Sequence, residues 1–182
     1  MPDIASLTLE DVVDESARFK ADALRAMRDL ARTKPWQGNY QKRFDAIEYA
    51  FNRLLEAYGL IDAGWTIEHH GPDVGTSAGS RIDPDARVVR LTGRLSVVTM
   101  LHLFAKVRQV EEQRNTDGSL PTDEDGNPLI ELDHYRAIRW SASLFKRKFP
   151  ISFSRCRIEG GVLVNDGLIA RERERRERQS QS

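Results

Sequence analysis

The chain has 182 residues, 40% of them hydrophobic and 31% charged, with 28 Lys and Arg balanced by 28 Asp and Glu. That length fits one domain with an ordinary core, and the zero net charge excludes a global electrostatic pull toward nucleic acid or membrane. A single Cys156 excludes an internal disulfide and any multi-cysteine zinc site; the apolar stretches are far too short to span a bilayer and Met1-Pro2-Asp3-Ile4 has no secretory n-region or h-region, so a cytoplasmic protein without membrane contact is expected.

In chain order, Thr8-Leu9-Glu10-Asp11 has the form of a capping box with Asp in the acidic position. Val13, Ala17, Ala21, Leu24, Met27 and Ala31 then recur at helical spacing and predict a helix over 9–32. Pro35 and Gly38 break it. Phe44, Ile47, Phe51, Leu54, Leu55 and Tyr58 form a stronger amphipathic stripe that ends at Gly59, a natural residue just past a helix. Trp65-Thr66-Ile67-Glu68-His69-His70 alternates and predicts a strand, residues 71–85 read as a loop rich in Gly, Pro, Ser and Asp, and 87–91 reads as a second strand. Ser96 is placed to cap the next helix, which is apolar on most of its circumference and so expected to be buried. Residues 113–130 are polar and predict a loop or short hairpin; helical spacing returns from 133 to 149 through Ala137, Ile138, Ser141, Leu144 and Phe145 until Pro150; Val162-Leu163-Val164 predicts a short strand. Residues 171–178 alternate Arg and Glu without an apolar side chain, so the segment 167–182 is expected to be a charged, solvated helix or a disordered tail, able to serve assembly.

Charge is segregated along the chain. Residues 111–133 carry eight acids against Arg114, whereas 134–182 carry twelve Lys and Arg against five acids. Arg136, Arg139, Lys146 and Arg147 fall on one side of a helix, Lys148 follows, and Trp140 and Phe149 interleave. Such a face is a candidate for nucleic-acid backbone binding; the plainer reading is a solvated face that meets water or the protein's own acids.

The helix after Ser96 contains Leu101-His102-Leu103-Phe104-Ala105-Lys106. A zinc protease presents H-E-x-x-H there, two imidazoles on one face with a Glu as general base. Here His102 keeps the first ligand position, Leu103 occupies the base position and Lys106 the second ligand position. Further on, His134-Tyr135-Arg136-Ala137-Ile138-Arg139-Trp140-Ser141 matches the spacing of the pattern E-x-x-A-x-x-[FW]-[AS], with His134 at the Glu. On these residues, and on the order helix, strand, loop, strand, apolar helix, loop, helix, the region from about 40 to 150 resembles minimal zincin metallopeptidases of the SprT-like and ImmA/IrrE-like kind. The resemblance implies an α+β, zincin-like domain over 1–166, helices packed on a small sheet, with a vestigial site of His102, Leu103, Lys106 and His134 and no catalytic residues. Leucine cannot relay a proton, and an ammonium offers no lone pair to a metal; Lys106 is expected to fill the old cation position and pair with Asp133 or Glu131.

Three readings of His102 stand side by side: a core histidine bonded to backbone in an unrelated fold, a metal-free degenerate zincin, and a surviving zinc site of His102, His134 and Asp133. The functional expectation is a non-catalytic binding or regulatory protein that needs no cofactor and works through a protein partner or nucleic acid; the alternatives are a metal-dependent hydrolase with an altered histidine site and a nucleic-acid-binding accessory protein using helix 134–149. Elsewhere, His69 and His70 are adjacent on a strand and point to opposite faces, so they cannot chelate together. Asp123-Glu124-Asp125-Gly126-Asn127-Pro128 lacks the Gly and Glu of a calcium loop and reads as a turn. The Gly-containing stretch 71–80 has no Lys in a phosphate-loop pattern.

Overall fold

The computed structural model describes residues 7–165 and 178–181. Most of the predicted charged tail, 167–182, lies outside them. The fold is α+β. Among the described residues, helices α1 (Leu9–Val12), α2 (Ala21–Arg32), α3 (Tyr40–Ala57), α4 (Val97–Gln113), α5 (His134–Lys148) and α6 (Pro150–Phe153) surround strands β1 (Thr66–His70), β2 (Arg81–Asp83), β3 (Val88–Thr92), β4 (Cys156–Glu159) and β5 (Val162–Asn165), with a 3-10 turn at Ile61–Ala63. The first three strands form a sheet in the order β1-β3-β2, with β1 parallel and β2 antiparallel to β3; β4 and β5 form a separate antiparallel hairpin. Among the described residues no helix is long and apolar enough to cross a membrane.

The predicted helix over 9–32 is two helices. Its capping box forms, with the Thr8 amide bonded to the Asp11 carboxylate at 3.1 Å. The break comes two residues past α1, where Asp14 turns its carboxylate onto the Ser16 amide (3.0 Å) and hydroxyl (2.7 Å). This is the competition by which short polar side chains draw backbone out of a helix. The Asp14 amide is held by the Ser143 hydroxyl of α5 at 2.9 Å, which fixes the detour to the core.

The α3 stripe behaves as its spacing predicts. Ile47, Ala50, Phe51, Leu54 and Leu55 are buried, Asn39 caps the start through Lys42, and Gly59 at φ +71 closes the end. The Gly59 amide bonds Glu56 and the Leu60 amide bonds Leu55, the paired bonds of a Schellman ending, whose left-handed position favours glycine.

α4 is the axis of the core. From Val98 to Val107 every side chain is buried, and the Ser96 hydroxyl caps the Thr99 amide. The inner face of the three-stranded sheet (Ile67, Val89, Leu91), α3 and α5 all pack around it in one continuous hydrophobic cluster. Phe104 anchors an aromatic group with Phe51, Tyr58 and Trp140 at centroid distances of 5.7 to 6.0 Å, and the Arg108 guanidinium lies 3.9 Å over Tyr58. Aromatic edges and faces at these separations add to the burial energy.

Two strands depart from the sequence reading. The stretch 71–85 contains β2, three residues too short to show alternation, joined to β3 by a turn in which the Asp83 carboxylate accepts from the Asp85 and Ala86 amides. β4 precedes the expected strand, and Gly160-Gly161, both at positive φ, make the two-residue turn between β4 and β5.

Candidate functional site

The residues expected to form a vestigial site lie on α4 and at the start of α5, two helices that pack on each other. His102 and Lys106 are four residues apart on α4, hence on one face, and His134 opens α5, whose N-cap is Asp133. His102, fully buried, is held well below its usual pKa by burial first, then by the charges of Lys106 and His134. Burial also lowers Lys106, and burial with Lys106 lowers His134 against the opposing pull of Asp133.

The expected ion pair of Lys106 with Asp133 or Glu131 does not form. Asp133 spends its carboxylate on the Arg136 amide at 2.9 Å, and its backbone is clasped by Gln109, which accepts from its amide (2.8 Å) and donates to its carbonyl (2.9 Å). Gln113 holds the Glu131 backbone in the same way. Lys106, only 8% exposed, makes no hydrogen bond or ion pair among the described residues. Leu103, at the base position, is part of the core.

The proton on His102 decides what the site can hold. Its Nδ1 accepts a hydrogen bond from the Leu163 amide of β5 at 3.2 Å. A neutral imidazole that accepts at Nδ1 carries its proton on Nε2. A metal-binding histidine has the reverse arrangement, donating from one nitrogen to a second-shell acceptor so that the other keeps a lone pair for the ion. Nε2 is buried with no partner among the described residues. With the proton on Nε2 of His102 and a lysine at the second ligand position, His102, His134 and Asp133 do not fit zinc. The Leu163 carbonyl meanwhile accepts from the Thr99 hydroxyl at 2.6 Å. Thr99 and His102, one turn apart, thus satisfy both polar groups of one residue on the free edge of the hairpin.

The candidate basic face is largely spent inside the molecule. Arg136 pairs with Glu112 (2.9 Å), Arg139 with Asp14 (2.9 Å) and Lys146 with Glu15 (2.5 Å), while Arg147 donates to the Ala17 carbonyl (2.8 Å). The partners are mainly the irregular segment after α1, not the acidic stretch 111–133. Lys148 has no such partner among the described residues.

A second polar cluster was not singled out from sequence. Tyr40 of α3 donates to His69 Nδ1 at 2.9 Å, His69 Nε2 donates to the Gly93 carbonyl at 2.6 Å, and Arg43 is paired with Asp73, which also accepts from the Leu95 amide. It straps the loop after β1 to the entry of α4. His70 points to the other face and bonds Glu68 at 2.6 Å, as strand alternation requires. The signal available in advance was the pairing of a strand-end His with a loop Asp, which is too common to single out a site.

No family model, curated protein or solved structure matches the chain.

Proposed function

We propose that the protein is a non-catalytic binding or regulatory protein on a degenerate zincin-like scaffold. The observation that carries the reading is that His102 and Lys106 share one face of α4 beside His134 at the start of α5, the three positions that the resemblance assigns to metal ligands, with the His102 proton on the nitrogen a metal would need. Peptide hydrolysis requires a base to take a proton from metal-bound water and return it to the leaving amine. Leu103 supplies neither step, so the metal-dependent hydrolase alternative loses both ion and base.

A protein is the favoured partner. Trp36, 54% exposed, stands edge-on to Phe149, and Ile151, 77% exposed, is the second residue of α6, which follows. Large apolar side chains of this kind anchor protein interfaces. The nucleic-acid alternative draws on Arg136, Arg139, Lys146, Arg147 and Lys148, four of which already have acidic or carbonyl partners in the fold.

Elemental analysis after zinc dialysis tests the proposal, together with a peptidase assay. The expected result is no stoichiometric zinc and no metal-dependent cleavage in the wild type or in His102→Ala. Stoichiometric zinc that disappears in His102→Ala, with cleavage that disappears alongside it, overturns the reading.

A further inference from the structure

The outer face of the three-stranded sheet carries Glu68 and His70 of β1, Arg90 and Thr92 of β3, and Arg81 and Asp83 of β2, because residues two apart on a strand and residues in register across strands share a face. Arg81 lies directly opposite Arg90. Two like charges in that position repel and cost stability unless something neutralises them. The acids on this face do so incompletely. Glu68 is engaged with His70 at 2.6 Å and stands 4.0 Å from Arg90, and Asp83 stands 3.7 Å from Arg90 while capping its own turn. Arg81 makes no ion pair among the described residues, and Arg90 Nε is buried without an acceptor.

Between these side chains lies a depression of about 180 Å³ lined by His70, Gly79, Arg81, Arg90 and Thr92. That is several times the ~30 Å³ one water occupies in the liquid. No carboxylate lines it. Gly79 keeps it open, since a Cβ there would press to 3.1 Å on the Thr92 hydroxyl. Two guanidiniums and a hydroxyl around one concavity are a donor set that recognises a tetrahedral oxyanion, and guanidinium forks match its paired oxygens; the His70 imidazole, whose Nε2 donates to Glu68, forms part of the wall.

We infer that this depression binds a phosphoryl group, bridged by Arg81 and Arg90 with His70 and Thr92 at its sides. The inference is independent of the site at His102. It is tested on the full chain by amide NMR titration with inorganic phosphate, against chloride at matched ionic strength, and in parallel with adenosine monophosphate. Saturable shifts at His70, Gly79, Arg81, Arg90 and Thr92 are expected with phosphate, and Arg81→Gln, an exposed edge-strand change, should weaken binding about tenfold. Adenosine monophosphate binding more than about tenfold tighter assigns the group to a nucleotide; equal binding assigns recognition to the phosphoryl group alone. Equal shifts with chloride, saturable shifts confined to α5, or undiminished binding by a folded Arg81→Gln overturns the inference.

Discussion

His102 and Leu163 are 61 residues apart, and the buried imidazole of one accepts the backbone amide of the other at 3.2 Å. This contact joins the central helix to the C-terminal hairpin and fixes the histidine's proton on the side away from the strand. Removing it leaves a buried amide without an acceptor and a void in a close-packed core. His102→Ala should therefore cost about 2–4 kcal/mol in chemical denaturation with an unchanged m-value. A cost below about 0.5 kcal/mol would contradict the role given to the contact.

The same histidine sets a pH dependence. Its folded pKa lies well below 6.5 because burial, then Lys106 and His134, oppose its charge. The unfolded chain thus binds more protons below about pH 6.5, and stability should fall as pH drops through that value, by up to about 1.4 kcal/mol per pH unit from this group. His134, lowered too, acts in the same direction. In urea melts between pH 7 and 5, His102→Gln should show a shallower slope than the wild type; equal slopes would contradict the assignment.

Lys106 gives the opposite kind of test. Its charge sits on α4 without an acidic partner, and burial lowers its pKa from 10.5. Lys106→Met keeps the stem and removes the cost, so it should stabilise the fold by about 1 kcal/mol at pH 7. The sign follows from linkage: wild-type stability rises as pH climbs toward 10.5, and the variant loses that rise.

The basic face of α5 should be unmasked from the N-terminal side. Asp14→Asn combined with Glu15→Gln frees Arg139 and Lys146. Duplex DNA binding, read by fluorescence anisotropy at low salt, should tighten roughly fivefold and its salt dependence should steepen. No change would mean that these ion pairs do not limit access to the face.

Gly93 provides a backbone test. It sits at φ +67, and a Cβ there would collide with the Thr76 carbonyl. Gly93→Ala should lose more than about 2 kcal/mol, because neither the dihedral nor the loop that crosses it can give way. A loss within about 0.5 kcal/mol would show that the loop after β1 moves freely.

Much of the architecture was legible where one period ran uninterrupted. The α3 stripe with Gly59, the Ser96 cap, the apolar α4 and the Asp133 start of α5 all follow from spacing and capping chemistry. The errors have local causes. At Asp14 a side-chain turn ended a helical repeat that composition alone would continue. β2 is too short to alternate, and Gly160-Gly161 was a hairpin signal overlooked because β4 before it mixes Cys, Arg, Ile and Glu. At the candidate site, the sequence spacing leads to the expectation that His102, Lys106 and His134 form a group, and the charges of Lys106 and His134 act on the buried His102. It could not foresee the Leu163 bond or the committed Asp133, because both depend on backbone groups that side-chain patterns do not encode.

The clamp on Leu163 also orders events during synthesis. Thr99 and His102 leave the ribosome 64 and 61 residues before the strand that satisfies them. At about 5–20 residues per second that interval is roughly 3–12 s. Through it, α4 carries an imidazole whose partner amide does not yet exist and a hydroxyl that has only Ser77 to bond. The nascent core is therefore held short of its finished state until the hairpin arrives, and β5 acts as the latch on the helix at the centre.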